Sequence, residues 1–336
     1  MLMNVADASA LINQALSCAG YAGDEAGVIT HHLMDCELRG ISYGGLARGL
    51  SVIERVRGQV GARQPLQLVR QTPVSATIDG RDEVGYLVAS RATQLAMAKA
   101  GASGIAVVGA HNTWYTGMLS YYLEQVAEAG FVGLAAGSGA HIVAPHGSSQ
   151  ARFATNPIAF AFPTTGQPII WDIGTSETML AEVLLAHRLG EPLAEGKLFD
   201  PGGNPSTTPM DVLGGALTVW GGHKGSGLAL VVQMLGALAG ASYAPQGLTD
   251  CGFLLIVIDP GILTDAEDFR QRTTAYADSV RAARPLDPGR PVRMPFDRSA
   301  AERDRRRQGD CLDIADEVHQ ALVTLTTKDA TTGGAA

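Results

Sequence analysis

Segments with helical and with strand patterns alternate along the middle of this 336-residue chain. Residues 84–100 and 117–129 have apolar side chains at helical spacing, whereas 104–109 and 131–136 are compact apolar runs of strand type. Such alternation is typical of a sheet with helices packed on it, so we predict an α/β fold. The chain is long enough to bury a large core.

The same pattern extends toward both ends of the chain. The other predicted elements are helices at 5–18, 23–39, 175–188, 263–283 and 298–325, strands at 157–162, 168–172 and 253–259, and loops over 189–220. A short alternating stretch ends in a predicted turn at Asp79-Gly80. The most apolar helix begins at Gly225 and includes Leu238, and its uniform hydrophobicity predicts a place in the core or at a subunit interface.

Charge and cysteine content exclude several classes of function. The chain has 25 basic and 33 acidic residues, so we expect no nucleic-acid partner. Its basic run, 303–307, is interleaved with acid and is predicted to be a solvated helix face. No apolar run is long enough to span a bilayer, and we expect no membrane partner. Four cysteines without metal or disulfide spacing predict buried free thiols, no metal site and a cytoplasmic location.

One glycine-rich segment has the features of an anion site. Neither a dinucleotide-binding glycine motif nor a P-loop is present, but Gly221-Gly-His-Lys-Gly-Ser-Gly227 directly precedes the apolar helix. Free N–H groups at a helix N-terminus bind anions, and Lys224 adds a full positive charge. The alternative is a glycine-rich loop whose lysine points to solvent. His223 is weaker evidence, because a histidine in a turn is more often a capping or packing residue.

Two further segments are candidates for ligand contact. Asn112-Thr-Trp-Tyr-Thr-Gly117 lies between a strand end and a helix start, where ligands commonly meet an α/β sheet. Trp114 and Tyr115 could stack on a flat ligand or supply a hydroxyl, and core packing is a comparable alternative. Asp172 ends a predicted strand, where a helix cap and a ligand contact are equally consistent with the pattern.

Several motifs in order give the chain, from about residue 5 to 325, a family resemblance. They are Arg39-Gly-Ile41, Thr155-Asn-Pro-Ile-Ala-Phe-Ala-Phe-Pro163, Asp172-Ile-Gly-Thr-Ser176, Gly203-Asn-Pro-Ser-Thr-Thr-Pro209 and Gly221-Gly-His-Lys-Gly-Ser-Gly-Leu-Ala-Leu230. With these motifs the sequence resembles the malate/L-lactate dehydrogenase family of NAD(P)-dependent oxidoreductases. That family also contains ureidoglycolate and sulfolactate dehydrogenases and cyclic ketimine reductases.

The resemblance implies a family-specific fold, distinct from a Rossmann domain, with a mainly antiparallel sheet and helical regions from both chain ends. Residues 1–65 and about 285–325 would form the helical region. Residues 66–284 would form the cofactor-binding region, with an inserted helical segment at about 175–245, and 326–336 would be a frayed tail. The resemblance also implies a homodimer with the active site near the subunit contact.

The cofactor implied by the resemblance is NADH or NADPH. The residues that would contact it, carried over from the family, are Thr116, Gly117, Asp172, Ile173, Gly174, His223, Lys224, Gly225, Arg293, Pro295 and Asp297.

The sequence departs from the family at the positions used for acid–base chemistry. Relatives usually read Arg-Gly-x-x-Ser-His-Gly-x-x-Arg near the N-terminus, where this chain has Tyr43 for the serine, Gly44 for the histidine, and keeps Arg48. A second family histidine falls on Tyr115. A one-residue shift would align Ser42 and Tyr43 instead, but it restores no histidine.

These departures favour chemistry that depends less on a histidine acid. Ketone reduction produces an alkoxide that needs a proton, whereas the nitrogen of an iminium ion is protonated before the hydride arrives at the carbon. We therefore predict reduction of the C=N or C=O of a small carboxylated substrate, a cyclic imine or a 2-oxo acid. Arg48 would bind the carboxylate, and Tyr115 or Tyr43 would donate the proton. The alternatives are non-redox chemistry with a bound nicotinamide cofactor and, less favoured, a cofactor-free binding protein.

Overall fold

The chain folds around one large sheet with helices on both faces. A computed structural model describes residues 1–59 and 61–327. Within these residues the helices are α1 (Val5–Cys18), α2 (Asp24–Leu38), α3 (Leu46–Arg57), α4 (Gly85–Ser103), α5 (Leu119–Glu128), α6 (Leu180–Leu189), α7 (His223–Leu238), α8 (Ala266–Arg281), α9 (Asp297–Gly309) and α10 (Asp316–Thr327). The strands are β1 (Leu2–Met3), β2 (Gln67–Gln71), β3 (Ser75–Val84), β4 (Ile105–Trp114), β5 (Val132–Gly137), β6 (Ile158–Phe162), β7 (Ile169–Ile173), β8 (Leu198–Phe199), β9 (Pro205–Ser206), β10 (Ala216–Leu217), β11 (Cys251–Ile258) and β12 (Leu312–Asp313).

The main sheet has seven strands in the order β2-β3-β4-β11-β5-β6-β7. Its β3–β4 pair is parallel and is connected through α4, whereas its other pairs are antiparallel. The expected mainly antiparallel, non-Rossmann architecture is therefore confirmed. Helices α4 and α5 pack on one face through small side chains such as Ala89 and Ala92, while Val232 of α7 packs on the other face against Ala136 and Ile158.

Both chain ends contribute to one helical region, as expected. β1 pairs with β12 in antiparallel register, Met3 opposite Leu312, and this pairing holds the N-terminus beside the C-terminal helices. Apolar residues of α1, α2, α3 and α10 form a shared core that includes Leu16, Leu33 and Leu322. The proposed boundaries at 65, 285 and 325 remain predictions. Of the predicted frayed tail, 328–336 lies outside the described residues.

The structure corrects several predicted elements. The turn at Asp79-Gly80 is wrong, because β3 continues to Val84 through an irregularity at which Arg81 and Asp82 have positive φ. The predicted helix 298–325 is two helices, α9 and α10, separated by β12. The predicted helix at 175–188 starts only at Leu180, and the predicted loop region 189–220 contains the small sheet β10-β8-β9.

The apolar helix α7 is not enclosed by its own chain. The residues that it buries are mostly small, among them Gly225, Ala229 and Gly236, whereas its large side chains include exposed ones. These exposed side chains are Leu230, Val231, Met234 and Leu238. The helix therefore packs closely on the sheet and presents an apolar stripe outward.

All four cysteines are free, but the prediction that they are buried is wrong for Cys311, which is exposed, and for the half-buried Cys18. None of the described helices combines the length and the hydropathy needed to cross a bilayer. The described residues also contain no group of three or more side chains arranged to hold a metal ion.

Candidate active site

A pocket of about 830 Å³ lies where the helical region meets one end of the sheet. Its walls come from the 3-10 turn Ser42–Gly44, the first turn of α3, the loop between β4 and α5, the end of β7, and the segment before α9. The predicted site residues that line it are Tyr43, Arg48, Tyr115, Thr116, Gly117, Asp172, Gly174 and Pro295. The fold thus brings together residues from positions 43 to 295.

Arg48 lies at one end of this pocket and is nearly buried, with 9% of its surface exposed. Its guanidinium carbon lies 4.0 Å from the centre of the Tyr115 ring, which is cation–π geometry. Among the described residues no carboxylate pairs with Arg48, and its Nη1 is buried without a hydrogen-bond partner. A buried cation without an acidic partner is costly, so this end of the pocket favours a bound anion.

Tyr115 is held in an unusual conformation directly after β4. Its φ is +51°, in the left-handed region that a bulky residue rarely adopts, and such strain is often found at functional sites. The preceding Trp114 is fully buried and donates its indole N–H to the Asp82 carbonyl at 2.8 Å. The anchored strand end therefore turns the Tyr115 ring toward Arg48. Trp114 therefore fits the core-packing interpretation of this pair. Tyr115 lines the pocket, where the ligand-contact interpretation would place it.

Tyr43 lines the same pocket but is a poor acid. Burial raises its pKa to about 12, and Glu182 and Asp172 add to that shift. A phenol with this pKa gives up its proton poorly at neutral pH. Beside it, Gly44 packs closely on α2, since a Cβ there would lie 3.3 Å from the Cys36 Sγ.

The described part of the chain has one histidine close behind the pocket, and its position rules it out as a proton donor. His32 is 1% exposed on α2, and its Nε2 accepts the Met118 N–H at 3.0 Å. Burial lowers its pKa to about 3, so the ring stays neutral and supports the Gly117-Met118 backbone. No sequence pattern indicates this role, because His32 lies 86 residues before the loop that it contacts.

Asp172 is a pocket residue that also caps a helix. It lines the pocket, and its Oδ2 accepts the N–H of Ser120 at 2.7 Å in the first turn of α5. Burial raises the pKa of this carboxyl, and the hydrogen bonds from Ser120 and Leu119 oppose the shift. Asp172 therefore caps α5, a helix other than the one that follows it in sequence, and occupies its N-terminal anion site.

Asn156, which sequence reasoning missed as a site residue, is fully buried in the pocket wall. Its side-chain N–H donates to the Ala229 carbonyl at 2.7 Å, while its Oδ1 has no partner among the described residues. The available signal was its place in the Thr155-Asn-Pro157 motif. Its orphaned oxygen is an acceptor for an amide or hydroxyl group of a bound molecule.

The glycine-rich anion segment lies outside the pocket of this chain. His223 and Lys224 are exposed in the first turn of α7, and neither lines the pocket. Gly225 has a packing reason for being glycine, since a Cβ would lie within 1.7 Å of the Trp220 carbonyl oxygen. Ile173 is also absent from the pocket lining and packs beside Ile158 and Val232. Cofactor contacts by these residues remain predictions.

The segment before α9 meets the pocket only in part. Pro295 lines it, together with Phe296 and Arg298, whereas Arg293 and Asp297 do not. Asp297 instead accepts two hydrogen bonds from Arg281, at 3.0 and 2.8 Å, and this arginine holds the pKa of that carboxyl below its usual range. Asp297 therefore fixes the segment through α8.

Comparisons with known proteins agree with this architecture. A sequence profile described as malate/L-lactate dehydrogenase matches residues 3–323. The L-sulfolactate dehydrogenase of Methanothermobacter thermautotrophicus is 28% identical over 81% of this chain and 83% of its own. The Δ1-pyrroline-2-carboxylate/Δ1-piperideine-2-carboxylate reductase of Pseudomonas putida is 38% identical over 63% of this chain and 64% of its own.

A solved structure extends the comparison to three dimensions. The crystal structure of a dehydrogenase from Sinorhizobium meliloti, 28% identical, superposes with a TM-score of 0.89 over 97% of this chain and 99% of that one. The profile match spans nearly the whole chain, and three of the motifs that predicted the resemblance, at 39–41, 155–163 and 172–176, contribute residues to the pocket lining. This chain belongs to the malate/L-lactate dehydrogenase family of oxidoreductases.

Proposed function

We propose that this protein reduces the C=N or C=O bond of a small carboxylated substrate with NADH or NADPH. The observation that carries the proposal is Arg48, a buried guanidinium in the pocket wall that has no acidic partner among the described residues. Its planar donors match a carboxylate in bidentate geometry. The named substrates of two relatives, sulfolactate and the cyclic imino acids, are small carboxylated molecules.

Tyr115 is the proton donor in this proposal. Its ring lies 4.0 Å from the Arg48 guanidinium carbon, so a substrate carboxylate on Arg48 brings its reacting carbon close to the phenol. The nearby guanidinium also stabilises the negative charge left on oxygen when the proton transfers. Tyr43 is less suited because burial raises its pKa to about 12. Reduction of a protonated imine depends least on proton donation by Tyr115, and this favours C=N over C=O substrates.

The nicotinamide cofactor supplies the hydride when it is bound. The residues of this chain that would contact the cofactor are residues of the pocket lining, which includes Arg48 and Phe296. Thr116 and Gly117 offer backbone groups, and the orphaned Oδ1 of Asn156 accepts a hydrogen bond that an amide such as the cofactor carboxamide can donate. His32 holds the loop at Met118 in place.

The proposal is tested by following absorbance at 340 nm with NADH and NADPH separately. The substrate panel is pyruvate, oxaloacetate, 3-sulfopyruvate, Δ1-pyrroline-2-carboxylate and Δ1-piperideine-2-carboxylate. We expect oxidation of one cofactor with at least one of these, and a fall in kcat of about 10²-fold or more in Tyr115→Phe with a carbonyl substrate. Tyr43→Phe is the matched control and should retain most activity. A protein that binds cofactor but oxidises none with any substrate contradicts the proposal.

A second candidate function is non-redox chemistry with a bound nicotinamide cofactor. The observation that favours it is the absence of a histidine from the described lining of the pocket, together with Tyr115 and Gly44 at the positions of the family histidines. Substrate conversion without any change at 340 nm would support this candidate. Stoichiometric oxidation of NADH or NADPH would exclude it.

A homodimer is the assembly that we propose, with α7 at the contact. The supporting observation is the outward stripe of α7, where Leu238 is 74% and Met234 is 57% exposed. Lys224 and His223 begin the same helix, so the contact would place the predicted anion site at the subunit boundary. Light scattering should give twice the chain mass, and Met234→Asp should give monomers. The buried free thiols of Cys36 and Cys251 fit a reducing compartment, and we propose the cytoplasm.

A further inference from the structure

We infer that Glu37 is a positioning residue that fixes the substrate end of the pocket, because its buried carboxylate joins the loop 41–45 to the first turn of α3. This inference rests on the proposed function, in which Arg48 on that turn binds the substrate carboxylate. Glu37 does not line the pocket and is 3% exposed. It acts through the backbone that carries Tyr43, Gly44 and Arg48.

The carboxylate of Glu37 supplies the cap that α3 lacks. The residue before the helix is Gly45, which has no side chain to cap the free N–H groups. The Oε1 of Glu37 accepts the Leu46 N–H at 2.7 Å across nine residues of sequence. A negative charge at a helix N-terminus is favourable, so this contact defines where α3 begins.

The loop between Glu37 and α3 is closed at both ends by residues of α2. The Ile41 N–H donates to the Cys36 carbonyl at 2.9 Å, and the Glu37 carboxylate receives Leu46 five residues later. Between these bonds the chain makes the 3-10 turn Ser42–Gly44, which lines the pocket at Tyr43 and Gly44. Without the second bond the far end of the turn loses its hydrogen bond to α2.

Gly45 is glycine because the carboxylate lies against its backbone. A Cβ there would lie 2.3 Å from the Glu37 Oε1 and 2.4 Å from its Cδ, so the carboxylate would have to move to make room for it. The glycine at position 45 therefore matches the close contact that its backbone makes with the Glu37 carboxylate. A side chain at 45 would displace the carboxylate from the start of α3.

Arg48 follows directly from this start. It is the third residue of α3, and its N–H bonds the Gly45 carbonyl at 2.9 Å in the first turn. A helix whose first turn frays would let Arg48 move away from Tyr115, and small displacements at a reacting centre reduce rates strongly. Glu37 thus sets the distance between the carboxylate-binding group and the proton donor.

The surroundings of Glu37 hold it in this position from a second side. Arg306 of α9 donates to the Glu37 backbone carbonyl at 2.8 Å and is itself paired with Glu302. On α2 the charged neighbours are Asp35 and Arg39, which pair with each other. Glu37 Oε2 has no hydrogen-bond partner among the described residues, so the Leu46 contact is the one that its side chain makes there.

The test compares Glu37→Ala with Glu37→Gln in the full chain. The amide oxygen of glutamine can still accept the Leu46 N–H, whereas alanine cannot. Hydrogen exchange measured by mass spectrometry on peptides covering 41–50, without ligand, should rise in Glu37→Ala and return close to wild type in Glu37→Gln. With the substrate found active in the panel, KM should rise about tenfold or more in Glu37→Ala, with a smaller change in kcat, and glutamine should largely restore it.

Leu16→Ala is the control for general destabilisation. Leu16 is fully buried in α1, away from the pocket, so its truncation should lower Tm while leaving KM and exchange at 41–50 unchanged. If Glu37→Ala does not fold, Glu37→Asp retains the charge but is one methylene short of Leu46, and it should show the same two effects more weakly.

Two results would overturn the positioning role. One is unchanged exchange at 41–50 in the Glu37 variants, and the other is faster exchange there with KM and kcat as in wild type. If the wild-type protein reduces nothing in the panel, the proposed function fails by itself. Exchange at 41–50 and the binding of oxalate, a small dicarboxylate, measured by calorimetry in wild type and Glu37→Ala then decide the positioning role alone.

Discussion

Arg39 and Arg48 lie nine residues apart, both are buried, and the fold treats them in opposite ways. Arg39, 4% exposed, pairs through Nε with Asp35 at 2.6 Å and through Nη2 with Glu124 at 2.5 Å. Arg48, 9% exposed, has an aromatic ring beside it and no carboxylate partner among the described residues. The first cation is neutralised within the fold, whereas the second has no neutralising carboxylate among the described residues.

The difference lies in what surrounds each guanidinium. Arg39 belongs to a buried cluster in which Arg303 of α9 also contacts Glu124, at 2.7 and 2.9 Å, so the cluster joins α2, α5 and α9. The guanidinium carbon of Arg39 also lies 4.3 Å from the centre of the Phe296 ring in the pocket wall. Arg48 lines the pocket, where the Tyr115 ring lies against its guanidinium and Tyr86 forms part of the same wall. Burial alone therefore does not distinguish these two arginines, whereas the presence or absence of an acidic partner does.

The largest expected effect on stability is at Arg39. Arg39→Met should lower the free energy of unfolding by about 3–5 kcal/mol, because it leaves the buried Asp35 and Glu124 carboxylates short of a cation. Urea unfolding followed by circular dichroism measures this change. A loss below about 1 kcal/mol would mean that Arg303 alone neutralises the cluster, and the contrast with Arg48 would disappear.

Arg48→Met should give the reverse pattern. We expect kcat/KM for the active carboxylated substrate to fall about 10²-fold, because the bonds to a charged group are lost. The free energy of unfolding should stay unchanged or rise, since an unpaired buried charge is removed. Arg48→Lys keeps the charge but not the planar fork of donors, so its activity should lie between those of wild type and Arg48→Met. Loss of stability comparable to that of Arg39→Met would assign Arg48 to the fold instead.

The contrast between the two arginines shows what the sequence could predict. The alternation of elements predicted a sheet with helices packed on it, and the motifs predicted the family. The resemblance to that family then implied the mainly antiparallel sheet and selected Arg48 and Tyr115, because those properties follow from aligned positions. The role of Arg39 was not predicted, since its partner Glu124 lies 85 residues away. For the same reason the run 303–307 was predicted to be wholly solvated, although Arg303 points inward to Glu124.

Two site residues show a second limit of the sequence. Asp172 was expected at a helix cap or a ligand, and it caps α5, which precedes it by 52 residues. Glu37 had no recognisable pattern, because its partner Leu46 is reached through a turn that glycine at 45 makes possible. Local periodicity predicts elements well, but contacts that close loops depend on tertiary packing.

Glu37 adds a buried acidic group to the comparison, and its pKa makes the stability of the protein depend on pH. Burial raises its pKa from an ordinary 4.5 to about 7, against the opposing effect of the Leu46 bond and Arg306. Between pH 4.5 and 7 the folded protein holds a proton on Glu37 that the unfolded chain has lost. The stabilisation that this proton provides is therefore complete below about pH 4.5 and is lost as the pH rises through 7. Relative to Glu37→Gln, wild type should lose up to about 3 kcal/mol of stability from pH 5 to 8.

Urea titrations of both proteins at pH 5, 6, 7 and 8 measure this difference. Because both proteins share every other titratable group, subtraction leaves the contribution of Glu37. A difference that stays constant with pH would mean that Arg306 compensates the buried charge, in the way that Asp35 compensates Arg39.

The smallest expected effect is at Arg305, which has a good ion pair but no burial. It is 69% exposed and bonds Glu302 at 2.6 Å, and Arg305 and Arg306 together lower the pKa of Glu302 to about 2. Exposed pairs contribute little because water solvates both charges in the unfolded chain and in the folded one. Arg305→Ala should therefore leave Tm unchanged within error at pH 7, and Arg306 keeps the carboxylate paired. If the substitution instead destabilised the protein as Arg39→Met does, then pairing itself would be the decisive property, and an unpaired Arg48 would no longer indicate a ligand.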